Sequence, residues 1–240
     1  MTHKKLSMPE RSLSGGDSST VKVNGVELYY VQKGSGPNLI LLHGGLGSSN
    51  QWAKQFDVFA KHFTVYAFDS RAYGRSTRDE RPLGIHLMAE DIVAAMDVLN
   101  FATAAIIGFS DGGNIGLDIA LNHPHKIEKL ITYGANFSPE GANPEAGAAP
   151  LLGEYVGAMA AEYASISKTE ESFEDFSAEV FNMWGTEPNF TIAELRSIRA
   201  PLMVMHGRHE EAILYDHSRL MAVSIPNGIL FVMELSLIHI

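Results

Sequence analysis

A serine lies within a run of glycines, between a strand-like segment and a helix-like one. Residues 108–113 read Gly-Phe-Ser-Asp-Gly-Gly; they follow the apolar run 103–107 and precede the helix-like run 114–120. This strand–turn–helix context is typical of a nucleophile elbow, in which glycines let strand and helix approach closely. The Ser110 hydroxyl would then lie at a helix N-terminus, where partial positive charge favours a developing oxyanion. The pattern predicts nucleophilic acyl transfer, and the alternative is a Gly-rich connection with an incidental serine.

The length and composition of the chain favour one folded core. With 240 residues, of which 45% are hydrophobic, the chain can bury one substantial core with a small appended lid. No apolar run is long enough to cross a bilayer, and residues 1–19 lack the apolar stretch of a secretory signal. Residues 1–19 are therefore predicted to be a disordered leader, and the protein is expected to be cytoplasmic, with no membrane partner. The chain contains no cysteine, which excludes disulfides and thiolate metal sites.

The formal net charge of −10 is concentrated in one segment. Residues 138–196 contain eleven acidic side chains against Lys168 and Arg196. Such a field repels nucleic acid and anionic membranes and disfavours anionic substrates. The favoured interpretation is a solvated helical surface that keeps the protein soluble. No nucleic-acid partner is therefore expected, and the sequence leaves the oligomeric state open.

Strand-like and helix-like segments alternate along most of the chain. A hairpin is predicted around Asn24-Gly25, because these turn residues tolerate positive φ. The other predicted strands are 38–42, 63–68, 103–107, 127–133, 201–205 and 229–233, and the helices are 51–62 (capped by Ser49), 87–99, 114–120 and 215–223. This alternation predicts a mostly parallel sheet with helices on both faces.

The alternation breaks at Ser138. Apolar side chains recur at helical spacing in 152–163 and again in 173–184, and Thr191 begins a capping-box pattern. We therefore predict that 138–196 is a helical lid over the site, inserted between core segments 20–137 and 197–234. The lid aromatics are expected to pack against the domain below rather than to line a pocket.

The order of these motifs resembles the α/β-hydrolase superfamily over residues 21–233. The motifs are His43-Gly44-Gly45 after one strand, the elbow at Ser110 and His206-Gly207 after a later strand. The similarity is greatest to small lidded esterase-like members, and it implies an α/β-hydrolase fold. It implies that Ser110 is the nucleophile and that the backbone amides of Gly45 and Asp111 form the oxyanion hole. The Asp111 carboxylate is expected to complement the helix dipole.

The resemblance also places the orienting acid after the strand 201–205. Glu210 is the third residue beyond Gly207, where the family more often has Asp, and Glu211 is the near competitor. His206 and His209 are expected to be structural.

A further similarity lies in the turn after strand 63–68. Asp69 and Arg71 resemble the structural turn of the family, with no catalytic role. Ala72 replaces the usual glycine, so this turn is expected to be altered.

The general base should be a histidine on the loop after 229–233. His239 lies within about one residue of the expected offset. However, residues 235–240 equal the translation of a transposon-end sequencing adapter. We therefore hypothesise that they are an artefactual tail and that the gene product continues past Met233 or Glu234 with its own histidine. On this hypothesis the chain as written is expected to be unstable or inactive, and the parent protein to be an active enzyme. Sequencing the source locus tests this, since a native stop codon after Ile240 would refute it.

These features predict a serine hydrolase that cleaves a small neutral carboxylic ester or lactone through an acyl-enzyme. Alternatives are a C–C bond hydrolase or perhydrolase with the same triad, and a non-catalytic binder that uses the lid pocket. A serine nucleophile argues against dehalogenase or epoxide-hydrolase chemistry, which uses a carboxylate. No P-loop, G-x-G-x-x-G or His-Glu-x-x-His motif is present, so neither a metal nor another cofactor is expected.

Overall fold

The computed structural model describes residue 13 and residues 15–234. Within that part of the chain, eight strands form one sheet in the order β1-β2-β4-β3-β5-β6-β7-β8. The strands are β1 (Asp17–Val23), β2 (Val26–Lys33), β3 (Asn38–Leu42), β4 (Thr64–Phe68), β5 (Ala104–Phe109), β6 (Ile127–Tyr133), β7 (Leu202–Gly207) and β8 (Gly228–Met233). The helices are α1 (Ala53–Phe59), α2 (Ile85–Val98), α3 (Asp111–Asn122), α4 (Pro150–Ile166), α5 (Phe173–Trp184), α6 (Ile192–Leu195) and α7 (Tyr215–Ser224). None of these described helices is long and apolar enough to span a bilayer.

The sheet begins with the predicted hairpin and is parallel from β4 onward. β2 pairs antiparallel with both β1 and β4, and every later pair is parallel. The turn residues Asn24 and Gly25 have φ values of 44° and 84°, the left-handed conformations that a tight hairpin requires. Because β1 begins at Asp17, residues 17–19 belong to the sheet, and the predicted leader 1–19 is too long at its C-terminal end.

The strand order reverses at β3, which lies between β4 and β5. Right-handed crossovers then place α1 on one face of the sheet and α2, α3 and α7 on the other. Loops at the carboxyl ends of β3 and β5 leave the sheet in opposite directions and frame a crevice, the usual ligand position in an open α/β sheet. The His43-Gly44-Gly45 loop and the Ser110 turn are the two loops that meet there.

The helix after β3 begins differently from the prediction. Ser48, not Ser49, is the cap: its Oγ accepts a hydrogen bond from Asn50 N, and a 3₁₀ turn over Ser49–Trp52 leads into α1. The amide of Ser49 donates to Asp69 Oδ1 at 2.7 Å, so Ser49 already lies inside the first turn. The helix also ends at Phe59, before the predicted residue 62.

The acidic segment between β6 and β7 contains α4, α5 and α6, and α6 begins with the predicted capping box at Thr191. Its charge is only partly a solvated surface, because four of its carboxylates accept hydrogen bonds from the core. They are Glu162 (from Ser48 Oγ and Asn50 Nδ2), Glu171 (from Arg78 Nη1), Glu179 (from Arg78 Nη1 and Leu83 N) and Glu187 (from Ile85 N). These four carboxylates therefore take part in the attachment of the lid to the core.

Candidate active site

Ser110 occupies a sharp turn between β5 and α3. Its φ of 49° and ψ of −118° lie in a region that non-glycine residues rarely adopt, so the backbone is strained. Three hydrogen bonds hold this conformation: Ser110 N donates to Tyr133 O at 2.8 Å, and Ser110 O accepts from Gly113 N at 2.8 Å and from Asn114 N at 3.1 Å. The strand, turn and helix of the predicted elbow are all present.

Glycines make the turn possible because the backbone packs against itself on both sides. A Cβ on Gly108 would lie 2.2 Å from Gly112 O, and a Cβ on Gly112 would lie 2.3 Å from Leu42 O. Either contact is too short for real carbon atoms, so neither glycine tolerates a side chain here. The close approach of β5, α3 and β3 fixes Ser110 at the crevice.

His43 is a structural residue of the neighbouring loop. Its Nε2 accepts a hydrogen bond from Ser70 N at 2.9 Å, so the proton lies on Nδ1, which donates to Gly44 O at 2.8 Å. Burial lowers the pKa of this imidazole, so it remains neutral. The His-Gly-Gly motif is thus a tight turn that is held by its own histidine.

A cavity of about 160 Å³ lies above the elbow. Its walls include Ser110 together with Gly45 and Asp111, the two residues predicted to supply the oxyanion hole. Neither Gly45 N nor Asp111 N donates to an acceptor within the described residues. Two such amides in the same cavity wall as a strained serine are compatible with the predicted oxyanion hole.

The Asp111 carboxylate has a different environment from the one expected. Both of its oxygens accept from the indole Nε1 of Trp184 on α5, at 2.9 and 3.0 Å. Burial raises the pKa of this carboxyl to about 6. The group therefore contacts the lid inside the site, in addition to lying in the first turn of α3.

Lid aromatics also line the cavity, contrary to the prediction that they only pack. Trp184 and Tyr155 both form part of its wall, and Tyr155 donates to the carbonyl oxygen of Gly45. Sequence reasoning missed this role because helical spacing gives both side chains the signal of ordinary core residues. Their polar tips are the one available clue, since a buried Tyr or Trp normally finds a hydrogen-bond partner.

Glu210 lies in the turn after β7. Its Oε1 accepts from Ala212 N at 2.9 Å and Ile213 N at 3.2 Å, while its Oε2 has no hydrogen-bond partner in the described part of the chain. Burial raises the pKa of its carboxyl to about 7. Glu211, not Glu210, lines the cavity, so the choice of orienting acid stays a prediction.

The described histidines do not include a base for Ser110, because none of them lines the cavity. His206 is buried and its Nδ1 lies 3.0 Å from Ser218 Oγ. His217 accepts from Phe137 N at 3.1 Å, and burial lowers its pKa to about 4. The predicted base His239 and the predicted tail 235–240 lie outside the described residues.

The turn after β4 forms a buried polar network away from the cavity. Asp69 accepts from Ser49 N and from Arg75 N, the latter at 2.8 Å. Arg71 is fully buried and binds Asp91 through two nitrogens, at 2.5 and 2.7 Å. Ala72 adopts a φ of 67°, the left-handed conformation that favours glycine. The turn therefore keeps this conformation, with backbone strain at Ala72, and is not altered as expected.

Comparison with known proteins decides the family. The model of the alpha/beta hydrolase fold family matches residues 37–157, which is half of the chain. The chain belongs to the alpha/beta hydrolase fold family. The matched segment includes both the Gly44-Gly45 loop and the elbow of this chain.

Relatives of this chain have several activities in their names. Over 108 residues the chain is 37% identical to RutD of Caulobacter vibrioides, whose name refers to carbamate hydrolysis, covering 44% of this chain and 40% of RutD. It is 36% identical over 125 residues to the human serine hydrolase BPHL, covering 50% of this chain and 43% of BPHL. These matches span less than half the length of either relative.

The fold is also similar to that of solved structures over nearly the whole chain. Est816, described as an N-acyl homoserine lactone degrading enzyme, superposes with a TM-score of 0.71 at 28% identity and covers 90% of this chain and 91% of its own.

Proposed function

We propose that this hydrolase cleaves small neutral carboxylic esters or lactones through an acyl-enzyme on Ser110. The single observation that carries the proposal is the grouping of a strained Ser110 with the unengaged amides of Gly45 and Asp111 in one cavity. Each oxyanion donor of this kind contributes about 3 kcal/mol of transition-state stabilisation. A binding protein would have no need of this arrangement.

The proposed reaction has two halves. Ser110 Oγ attacks the carbonyl carbon while its proton passes to an imidazole, for which His239 is the candidate, and the oxyanion is held by Gly45 N and Asp111 N. The C–O bond to the leaving alcohol then breaks and the imidazole returns the proton to that alcohol. Water, deprotonated by the same imidazole, attacks the acyl-enzyme, and collapse of the second tetrahedral intermediate releases the acid and restores Ser110. In this scheme Glu210 orients the imidazole.

The size and charge of the cavity support small neutral substrates. A volume of about 160 Å³ is well below that of a typical site for drug-sized ligands, about 300–1,000 Å³. Carboxyl groups of Asp111, Glu187 and Glu211 line it, and no Lys, Arg or His does so within residues 15–234. An anionic acyl group would find no positive partner there. The lactone named for Est816 and the carbamate named for RutD both contain an electrophilic carbonyl carbon, as carboxylic esters do.

Hydrolysis of p-nitrophenyl acetate by the full-length parent protein and by its Ser110→Ala variant tests the proposal. We expect kcat/KM to fall by about 10⁵- to 10⁶-fold in Ser110→Ala, because the nucleophile is removed. Ser165→Ala is the matched control, since Ser165 is exposed on α4, and it should retain wild-type rates. Equal rates from wild type and Ser110→Ala would end the proposal.

Pre-steady-state kinetics separate the proposal from the alternative of a non-catalytic binder. An acyl-enzyme that forms faster than it hydrolyses gives a burst of one p-nitrophenolate per Ser110, whereas a binder gives none. A substrate with a carbon leaving group, assayed in parallel, distinguishes ester cleavage from C–C hydrolysis.

A further inference from the structure

The polar backbone groups of Gly44 and Gly45 are almost completely engaged. Gly44 N donates to Gln51 Oε1 at 2.8 Å, and Gly44 O accepts from His43 Nδ1 at 2.8 Å and from Gly47 N at 3.2 Å. Gly45 O accepts from the Tyr155 hydroxyl at 2.6 Å. Gly45 N is the one group of the four without an acceptor in the described part of the chain. Hydrogen bonds therefore hold three of the four backbone groups of this loop, and the fourth, Gly45 N, is the amide that the proposed reaction needs.

One of the donors that hold this loop, Tyr155, belongs to the lid. Tyr155 lies on α4, more than one hundred residues along the chain from Gly45, and its side chain is buried. The Gln51 carboxamide connects the two elements: its Nε2 donates to the Tyr155 hydroxyl at 2.9 Å while its Oε1 holds Gly44 N. Lid and loop thus share one hydrogen-bond chain.

Glycine makes this external support necessary. Gly45 has no Cβ to restrict its dihedral angles, so its orientation depends on what fixes the peptide planes on either side. The Gly45 N–H lies in the preceding plane, which His43 and Gly47 hold through Gly44 O, whereas Tyr155 holds the following plane through Gly45 O. Removal of the Tyr155 hydroxyl would leave a buried carbonyl without that donor and free the following plane, so that Gly45 Cα and the N–H attached to it could shift.

We infer that Tyr155 is a positioning residue for the oxyanion hole, so that the Gly45 amide is correctly aimed only when α4 is docked on the core. The inference rests on the proposed function, since it concerns the same amide. It assigns the lid a part in assembling the catalytic geometry in addition to covering the cavity. Substrate binding need not change, because Tyr155 acts on the amide that holds the transition state.

Tyr163 provides a matched control on the same helix. It is buried as well, two turns further along α4, and its hydroxyl lies 2.6 Å from Thr169 Oγ1 and 3.2 Å from Glu171 O. All of these partners belong to the lid. Tyr163→Phe therefore removes an equivalent buried hydroxyl without touching the loop at Gly45.

The test compares Tyr155→Phe and Tyr163→Phe in the full chain by kcat, KM and affinity for phenylboronic acid. The boronate forms a tetrahedral adduct with the serine oxygen, so its affinity reports the oxyanion hole without requiring turnover. We expect Tyr155→Phe to lower kcat and boronate affinity about tenfold, a fraction of the loss from deleting a donor, with KM changed less than about twofold. Tyr163→Phe should leave all three near wild type even if its Tm falls.

Equal effects of the two variants on kcat and on boronate affinity would overturn the inference. Failure of the proposed function has a different signature, in which Ser110→Ala binds the boronate as tightly as the wild type. Near-ultraviolet circular dichroism of each variant establishes that the fold is retained, and a Tyr155→Phe protein with native spectrum and unchanged boronate affinity also refutes the inference.

Discussion

The two sides of the candidate site differ in how completely they are held in place. On the oxyanion side, the Gly44–Gly45 loop is buried and Ser110 is half-buried. Hydrogen bonds with β6, with the 3₁₀ turn before α1 and with the lid fix their backbone. On the proton-transfer side, Glu210 has one carboxyl oxygen without a partner in the described residues. The neighbouring edge strand β8 leaves Ile229 57% exposed and Phe231 49% exposed.

In the proposed mechanism, the two catalytic tasks depend on different parts of the chain. The oxyanion hole would be built from the sheet, the elbow and the lid, all within residues 15–234. Proton transfer would depend on Glu210 and on a histidine for which residue 239 is the candidate. In serine hydrolases, an oxyanion hole and substrate binding alone retain about 10³- to 10⁴-fold catalysis over water, so the proposal predicts measurable activity from the first side alone.

The largest effect within the comparison is expected from Glu210→Gln. The amide oxygen can still accept from Ala212 N and Ile213 N, so the turn should persist while the charge that orients the imidazole is lost. We expect kcat to fall by about 10³- to 10⁴-fold, measured with p-nitrophenyl acetate. Glu211→Gln is the control and should have a small effect. A larger loss in Glu211→Gln would transfer the role to Glu211.

A smaller loss is expected from Gly45→Ala, which alters the oxyanion side. The added Cβ would lie 2.3 Å from Trp184 Cζ2 and 2.5 Å from Asp111 Oδ2, so the loop or the indole must move. We expect kcat to fall by about 10²-fold, comparable with loss of one oxyanion donor. Gly157→Ala on α4 is the control, because its Cβ meets nothing within 4 Å. If the Gly45→Ala variant kept the wild-type kcat, the Gly45 N–H would not be an oxyanion donor in the mechanism.

Asp111→Asn should change stability with a defined pH dependence. The pKa of the folded carboxyl is about 6, above its ordinary value of 3.8, so the native state binds the proton more tightly than the unfolded chain. The contribution of Asp111 to stability is greatest below pH 4, falls as the pH rises from about 4 to 6, and stays low above that range. Asparagine has no such loss and can still accept from Trp184 Nε1.

At pH 8 we therefore expect Asp111→Asn to be more stable than wild type by on the order of 2–3 kcal/mol, with a smaller difference at pH 5. Urea unfolding at both pH values measures this. A variant that is destabilised equally at both would contradict the assignment of a buried, ionisable Asp111.

Local sequence patterns predicted the parts of this molecule whose signals are local. β3 was predicted residue for residue, and the hairpin at Asn24-Gly25 has the backbone conformations that its residue types favour. The elbow at Ser110 has the strained turn that its flanking glycines make possible. Each depends on turn chemistry or on an apolar run within a few neighbouring residues. The oxyanion candidates could be named for the same reason, because the loop after β3 and the elbow each carry their own glycines.

Contacts between distant segments could not be predicted in this way. Nothing near Glu162 in the sequence indicates that its carboxylate binds Ser48 and Asn50, and nothing near Trp184 indicates Asp111 as its partner. A count of net charge does not distinguish one lid carboxylate from another, whereas tertiary packing determines which of them accept a hydrogen bond from the core. The cap at Ser48 was missed for a similar reason, since the amide of Ser49 is taken by Asp69 from a different strand end.

Mass spectrometry of the protein, acid-quenched during turnover of p-nitrophenyl acetate, tests the central claim most directly. The account predicts that the peptide containing Ser110 gains the mass of one acetyl group, that the label disappears as substrate is exhausted, and that Ser110→Ala gains none. Turnover without label on this peptide, or label on another residue at the rate of turnover, would contradict it.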